Sequence, residues 1–310
     1  MRPVREALLL MSRSAVVKQV VSTLPLSAGI VRSYVPGETV RDALAVAGRL
    51  AAEGLDTTID HLGEDTVEES QATAAVQAYR ILLDRIADAG LGTRAEVSVK
   101  LSALGLRLEG GETIALENAR RICRAAAGAG TTVTVDMEDH TLTDATLAIV
   151  AALREDFPST GAVLQAHLHR TEADCRALSG AGSRVRLCKG AYDEPAEVAF
   201  TDPDDVDRSY VRCLKVLMSG SGHPMVATHD PRLIEIAVAL ASRYGRAPGT
   251  YEFQMLYGIR PAEQRRLVGD GERMRVYLPY GEEWYGYLMR RLAERPQNLS
   301  LFLTSLISKK

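Results

Sequence analysis

Hydrophobic positions along this chain repeat in a unit of one amphipathic helix, one or two glycines and one short alternating stretch. In the alternating stretches, apolar and polar residues follow a period of two, which is typical of strands. The longer segments between them, such as 113–127, 144–154 and 231–242, place apolar residues at helical spacing. The eight predicted strands are 57–60, 96–100, 132–136, 163–167, 184–188, 224–229, 251–256 and 274–277. Strands that alternate with helices form a parallel sheet, and eight such units predict an α/β fold, a (βα)8 TIM barrel.

The glycine pairs distinguish this fold from another α/β fold. Gly128-Ala129-Gly130, Gly180-Ala181-Gly182 and Gly220-Ser221-Gly222 look like fragments of a dinucleotide-binding loop. Each pair, however, comes before a strand, whereas the Rossmann fingerprint requires a strand, then glycines, then a helix. We therefore interpret these glycines as helix ends, and no Rossmann domain is predicted.

Three segments are predicted along the chain. Residues 1–54 form an N-terminal helical extension, in which Thr39 is a candidate N-cap for a helix that ends at Gly54. Residues 55–298 form the barrel. Residues 299–310 form an apolar tail that ends in two lysines. Packing of this tail on the protein is the preferred interpretation, and peripheral membrane contact is the alternative.

Composition limits the kinds of binding partner and the cellular compartment that are expected. The formal net charge is −3 and no basic run is long, so no nucleic-acid partner is predicted. The four cysteines form no Cys-x-x-Cys pair, which favours reduced cytoplasmic thiols over a disulfide framework or a zinc site. The apolar run at 8–11 is too short for a signal peptide, and no segment has the length of a membrane span. A cytoplasmic protein is expected, with peripheral contact at the inner face of the plasma membrane as a further hypothesis.

The alternation within the strands indicates a polar site inside the barrel. Parallel strands covered on both faces are usually continuous apolar runs, whereas the predicted strands at 96–100, 132–136, 251–256 and 274–277 alternate apolar and polar residues. If the apolar set faces the helices, the polar set faces the interior, including Lys100, Asp136, Arg186 and Glu252. Because unpaired buried charges are costly, these four should pair with one another or with a polar ligand at the C-terminal ends of the strands.

The last predicted helix begins at Glu282 and ends before Pro296. Arg290 and Arg291 sit in one turn of it, four and three residues before Glu294, respectively. They form either local ion pairs on a solvated helix or a clamp for a ligand carboxylate, and the residues alone leave these two interpretations even.

Six motifs, in this order, resemble those of the proline dehydrogenase family of flavin enzymes. They are Val-Ser-Val-Lys-Leu-Ser at 97–102, Val-Asp-Met-Glu at 135–138, Val-Arg-Leu-Cys-Lys-Gly-Ala-Tyr at 185–192, Ala-Thr-His at 227–229, Glu-Phe-Gln-Met-Leu-Tyr-Gly at 252–258 and Tyr-Leu-Met-Arg-Arg-Leu-Ala-Glu at 287–294. The chain looks most similar to the single-function bacterial form and to the catalytic barrel of proline utilisation A.

The resemblance implies a distorted (βα)8 barrel that holds FAD noncovalently, with additional N-terminal helices and the last helix over the barrel mouth. The implied reaction oxidises L-proline to Δ1-pyrroline-5-carboxylate by hydride transfer from proline C5 to flavin N5, the first step of proline degradation to glutamate. The electrons are expected to pass to a quinone. No aldehyde dehydrogenase segment is evident in the sequence, so a separate pyrroline-5-carboxylate dehydrogenase is the expected partner.

The resemblance also implies roles for individual residues. Asp136, beside the substrate, and Arg186, at the flavin N5, are the implied catalytic residues. The implied substrate-binding residues are Lys100, Tyr192, Leu256, Tyr277, Arg290 and Arg291. The implied cofactor-binding residues are Met137, Gln165, Arg186, Lys189, Gly190, Ala191, Thr228 and His229. No metal is implied.

Two positions depart from the family pattern, and one bears on substrate choice. Asp193 stands where the family often has an aromatic residue, and Asp230 where it often has asparagine. The hypothesis is that their negative charge alters the surroundings of the flavin or its reoxidation. In the family, relatives that prefer hydroxyproline look to have a smaller residue at the position of Tyr277. The resemblance therefore implies that Tyr277 favours proline itself.

Three other functions are open on the residues alone. A metal-dependent TIM-barrel hydrolase would take its ligands from His167, His169, His229 and Asp136. A Schiff-base lyase would use Lys100 or Lys189 as the nucleophile. The third is a barrel that has kept the fold without catalysis, against which the intact clamp and flavin positions argue.

Overall fold

Eight parallel strands form a closed barrel in chain order. The computed structural model describes residues 31–63 and 66–294, and the side chains of 290–294 lie outside the description. The strands are β1 Asp56–His61, β2 Ala95–Val99, β3 Val133–Val135, β4 Gly161–Gln165, β5 Arg184–Cys188, β6 His223–Ala227, β7 Glu252–Leu256 and β8 Met274–Tyr280. The barrel closes where β8 pairs with β1, with Tyr280 opposite His61. The predicted (βα)8 fold is confirmed.

Helices precede β1, connect each strand to the next and follow β8. They are α1 Val40–Ala52, α2 Glu69–Asp88, α3 Gly111–Gly128, α4 Thr143–Asp156, α5 Thr171–Ala177, α6 Pro203–Ser219, α7 Pro231–Arg243, α8 Pro261–Gly269 and α9 Trp284–Glu294. Residues 31–34 are also helical, and short 3-10 helices span Gly92–Arg94 and His140–Leu142. Helix α9 begins at Trp284 and not at the predicted Glu282.

Helix α1 fills the flank of the barrel between β8 and β1. It begins with the capping box expected at Thr39, whose Oγ1 accepts a hydrogen bond from the Asp42 amide at 3.2 Å while the Asp42 carboxylate accepts one from the Thr39 amide at 3.1 Å. Its apolar face, including Val46 and Leu50, joins the main core beside these two strands. The helix that precedes β1 therefore covers the flank that the helix after β8 would otherwise cover.

Helix α9 lies over the carboxyl ends of the strands. Its residues Trp284, Tyr285 and Leu288 belong to a second hydrophobic cluster, together with Leu62 after β1 and Ile259 after β7. These partners stand where strands end, so the helix covers part of the barrel mouth. This is the position that the family resemblance implied for the last helix.

A network of buried ion pairs fills the barrel toward the amino ends of the strands. Arg184 Nη2 lies 2.6 Å from Glu96 Oε2, and Arg275 Nε lies 2.8 Å from Glu252 Oε1. Burial opposes ionisation of Glu96, but the charges of Arg184 and Arg275 outweigh it and lower its pKa from 4.5 to about 2. Glu252 is the first residue of β7 and belongs to this network, so the prediction that it joins the ligand-binding end was wrong.

Some sequence-based expectations fall outside the described residues. The N-terminal extension is described only from residue 31, and the tail at 299–310 is not described. The boundaries at 54/55 and 298/299 stay predictions. Across 31–63 and 66–294, no helix combines the length and the apolarity needed to cross a membrane.

Candidate active site

The carboxyl ends of β3 to β8 surround a cavity of about 450 Å³. This volume lies within the range of about 300–1,000 Å³ that is usual for small-molecule and cofactor sites. Every predicted site residue except Lys100, Arg290 and Arg291 lines it. Two larger grooves, one beside α1 and α9 and one between α2 and α3, contain none of the predicted residues. The side chains of Arg290 and Arg291 lie outside the described residues, so the carboxylate clamp stays a prediction.

Asp136, which directly follows β3, joins three other strands at the cavity. Its Oδ1 accepts hydrogen bonds from Ser98 Oγ at 2.8 Å and from Arg186 Nη1 at 2.6 Å. Its Oδ2 accepts one from the Tyr277 hydroxyl at 2.7 Å. Three donors from β2, β5 and β8 therefore hold this carboxylate in one orientation.

Arg186, in the middle of β5, directs a buried guanidinium at the cavity. Its Nε donates to Gln254 Oε1 at 2.6 Å, and its Cζ lies 5.3 Å from the centre of the Tyr277 ring. Its Nη2 has no hydrogen-bond partner among the described residues, and the Glu96 carboxylate is 3.7 Å away. Nη2 is buried and lies on the side of the guanidinium toward Glu96, so this nitrogen interacts with the charge of Glu96 inside the barrel.

Burial governs the protonation of two groups that line the cavity. It raises the pKa of Tyr277 well above the usual value, and the Asp136 charge adds to this effect. The Tyr277 hydroxyl therefore stays protonated and acts as a donor. Burial also raises the pKa of the Cys188 thiol to about 11, so the cavity wall carries no thiolate near neutral pH.

Lys100, which directly follows β2, lies between two carboxylates. Its Nζ is 2.8 Å from Asp60 Oδ2 and 3.9 Å from Asp136 Oδ2. Sequence reasoning missed Asp60 as a site residue. The alternation in the first predicted strand nevertheless placed its polar side chain on the strand face opposite to that of Ile59. It also missed Ser98, which bonds to Asp136, and Gln254, which bonds to Arg186, although both follow the same alternation in β2 and β7.

Gly190 shapes the loop that follows β5. Its φ of +111° lies in the region that favours glycine, and a Cβ there would stand 2.5 Å from the His167 ring. The His167 amide donates to the Lys189 carbonyl at 2.8 Å. Farther along the loop, the Glu194 carboxylate accepts a hydrogen bond from the His140 amide at 2.9 Å and contacts its ring Nδ1. These contacts hold the loop along one wall of the cavity.

The two residues that depart from the family pattern differ in their surroundings. Asp193 is exposed. Asp230 caps α7 by accepting a hydrogen bond from the Arg232 amide at 3.0 Å, and its Oδ2 lies 3.4 Å from Lys189 Nζ. Burial opposes ionisation of Asp230, but Arg232 and Lys189 outweigh it and lower its pKa. Lys189 also pairs with Asp207, so this lysine is held by two carboxylates at the cavity rim.

The arrangement does not favour the two alternative activities. Among the described residues, no group of three or more His, Cys, Asp or Glu side chains is arranged to hold a metal ion. His229 Nε2 instead accepts the Leu256 amide at 3.0 Å. Lys100 and Lys189 are both ion-paired, whereas a Schiff-base nucleophile must be neutral.

The cavity is suited to a flat heteroaromatic group with polar edges. Met137, Val163, Leu256 and the Tyr277 ring supply apolar contact surface. The Arg186 guanidinium supplies positive charge at the same cavity. Polar groups at the ends of β4 and β6 complete the lining, including Gln165, Thr228 and His229.

Comparison with known proteins gives one consistent result. The sequence profile of the family described as Proline dehydrogenase matches residues 43–302. The chain is similar to Proline dehydrogenase 1 of Bacillus subtilis (strain 168), at 38% identity over 90% of this chain and 91% of that protein. It is similar to Proline dehydrogenase of Deinococcus radiodurans, at 37% identity over 88% of this chain and 89% of that protein. Its fold is similar to that of proline utilization A from Bdellovibrio bacteriovorus, with a TM-score of 0.82 and 26% identity over 92% of this chain and 34% of the larger one.

Proposed function

Because this chain belongs to the proline dehydrogenase family, we propose that it oxidises L-proline to Δ1-pyrroline-5-carboxylate with noncovalently bound FAD. One observation supports this most directly. Asp136, Arg186 and Tyr277, from three separated strands, are joined by hydrogen bonds and ring contact on the wall of one cavity. The metal-dependent hydrolase has no comparable support.

The residues that would hold the flavin are Met137, Gln165, Arg186, Lys189, Gly190, Ala191, Thr228 and His229. Their fit is supported by the apolar walls of the cavity and by the positive charge of Arg186 in its lining. Bound FAD would supply a two-electron acceptor, at its N5 atom, for the hydrogen on proline C5. Arg186 would stabilise negative charge that develops beside it, since its guanidinium is buried and already oriented.

For the substrate, Lys100, Arg290 and Arg291 would bind the proline carboxylate. Tyr192, Leu256 and Tyr277 would enclose the ring, and all three line the cavity. Asp136 would act by holding Arg186 and the Tyr277 hydroxyl in place beside the substrate. The Tyr277 ring would leave less room for a ring substituent, which favours proline over hydroxyproline.

The electrons would pass to a quinone, and a separate pyrroline-5-carboxylate dehydrogenase would oxidise the product. The proposed organisation is a helical extension at 1–54, a catalytic barrel at 55–298 and an apolar tail at 299–310. A quinone acceptor and an apolar tail are together compatible with a cytoplasmic enzyme that contacts the membrane surface. Deleting 299–310 should reduce sedimentation with liposomes, and unchanged sedimentation would exclude the tail as the membrane contact.

The visible spectrum of the purified protein, taken before and after anaerobic L-proline, tests the main proposal. Flavin absorption that bleaches with L-proline is expected. Flavin absorption that is unchanged after L-proline would support FAD as the cofactor but contradict L-proline as the substrate. A colourless protein that also fails to bind added FAD would contradict the proposal as a whole.

A further inference from the structure

Asp60 is the close partner of Lys100, beside the cavity that neither of the two residues lines. It lies on β1, and its carboxylate is buried with the lysine, the two side chains being 2% and 12% exposed. The distance between Asp60 Oδ2 and Lys100 Nζ is 2.8 Å. The Tyr79 hydroxyl lies 3.3 Å from the other oxygen, Oδ1, and donates to the Ser98 carbonyl at 2.6 Å. Lys100 is therefore the nearest cationic partner of this buried carboxylate.

A second carboxylate competes for the same ammonium group. Asp136 Oδ2 lies 3.9 Å from Lys100 Nζ, beyond hydrogen-bond distance. Asp136 is already engaged with Arg186 and Tyr277. Without the charge on Asp60, the attraction of Asp136 would draw the lysine toward it, because a buried ammonium group requires a counter-charge. Asp60 therefore decides which of the two carboxylates Lys100 approaches.

We propose that Asp60 is a positioning residue for substrate recognition, which acts by fixing the Lys100 ammonium group where a carboxylate ligand meets it. This inference rests on the proposed function, in which Lys100 binds the carboxylate of L-proline. Asp60 itself does not line the cavity. Its effect on KM is therefore expected to pass through Lys100, its ion-pair partner at 2.8 Å.

A double-mutant cycle with Asp60→Asn and Lys100→Met tests the inference. Asp60→Asn should raise KM for L-proline by about tenfold or more, with kcat within about threefold of the parent value, because a charge-assisted contact to the bound carboxylate is misplaced. In the Lys100→Met background, Asp60→Asn should change KM by less than about twofold. Asp88→Asn, the same substitution in an exposed ion pair with Arg85, serves as the matched control.

Stability gives a second, independent measurement on the same variants. Asp60→Asn alone should lower the thermal midpoint. In the Lys100→Met background it should raise the midpoint, because it removes a buried carboxylate that has lost its cation. The opposite sign of the change in thermal midpoint in the two backgrounds can be measured even if one variant is only marginally stable.

Two results would overturn the inference. One is an unchanged KM in Asp60→Asn, and the other is an equal rise in KM with and without Lys100. Failure of the proposed function is a separate outcome, because the parent protein would then show no reduction of flavin by L-proline.

Discussion

The hydroxyl of Tyr277 donates a hydrogen bond to Asp136 Oδ2 at 2.7 Å, and this bond links the end of β3 to β8 across the barrel interior. Arg186 on β5 binds the other oxygen of the same carboxylate. The three side chains therefore form one unit whose geometry depends on all of its members. Substitutions in this unit should affect ligand binding and stability together.

Replacing Tyr277 with phenylalanine removes one donor and keeps the ring. We expect kcat/KM for L-proline to fall about tenfold, because Asp136 loses one of the bonds that orient it, and the free energy of unfolding to fall by about 1 kcal/mol. Steady-state kinetics and chemical denaturation measure these effects. Tyr244→Phe, at an exposed position, is the control. An unchanged kcat/KM in Tyr277→Phe would show that the hydroxyl has no role in the reaction.

Replacing Arg186 with lysine keeps the charge and removes the planar fork. The guanidinium reaches Gln254 and Asp136 from two different nitrogens, which one ammonium group cannot reproduce in the same place. We expect the purified variant to retain less than about a tenth of the parent flavin content, since several charge-assisted bonds are lost. The ratio of flavin to protein absorbance measures this. Arg85→Lys, on the exposed face of α2, should retain the parent ratio.

Replacing Gly190 with alanine tests the close approach of the loop after β5 to His167. The added Cβ meets the imidazole ring at 2.5 Å, and the φ of +111° is unfavourable for alanine. We expect a loss of about 1–3 kcal/mol in the free energy of unfolding and a weaker affinity for FAD. Thermal unfolding and flavin titration measure the two effects. Gly180→Ala is the matched control, because no atom lies within 4 Å of its added Cβ.

The ion pairs below the cavity predict a dependence of stability on pH. The pKa of Glu96 is lowered from 4.5 to about 2 in the folded protein, because its arginine partners outweigh the effect of burial. A lowered folded-state pKa contributes stability above pH 4.5, and this contribution is lost as the pH falls toward 2. The free energy of unfolding should therefore decrease across this interval.

Glu96→Gln should be less stable than the parent protein by about 3–5 kcal/mol at pH 7, because buried arginines lose a partner. The difference should narrow as the pH falls toward 2, where the parent carboxyl becomes protonated. Glu117→Gln, at a half-exposed position on α3, should show no such convergence. A difference for Glu96→Gln that stays constant with pH would contradict the assignment of the acid sensitivity to Glu96.

The strand alternation predicted which face of each strand a residue occupies, but not its height in the barrel. For Asp136 the face was sufficient because this residue directly follows β3, and for Arg186 because its long side chain reaches Asp136 from the middle of β5. For Glu252, the face did not predict the end of the barrel at which the side chain lies. This residue shares the interior face and opens β7, so it meets Arg275 below the cavity. The period of a strand is set by its own backbone, whereas height depends on where the strand begins and how it is registered with its neighbours.

The sequence alone determined eight repeated units, the glycines that end the helices, and the order of motifs that places the chain in its family. These features are local, because they depend on backbone preference and on the spacing of neighbouring residues. The tertiary structure alone decided that Asp60 pairs with Lys100 and that Tyr277 meets Asp136 from 141 positions away. It also decided that α9 lies over the barrel mouth and that α1 covers the flank between β8 and β1. These contacts depend on closure of the barrel, which brings distant strand ends to one cavity and which no local pattern encodes.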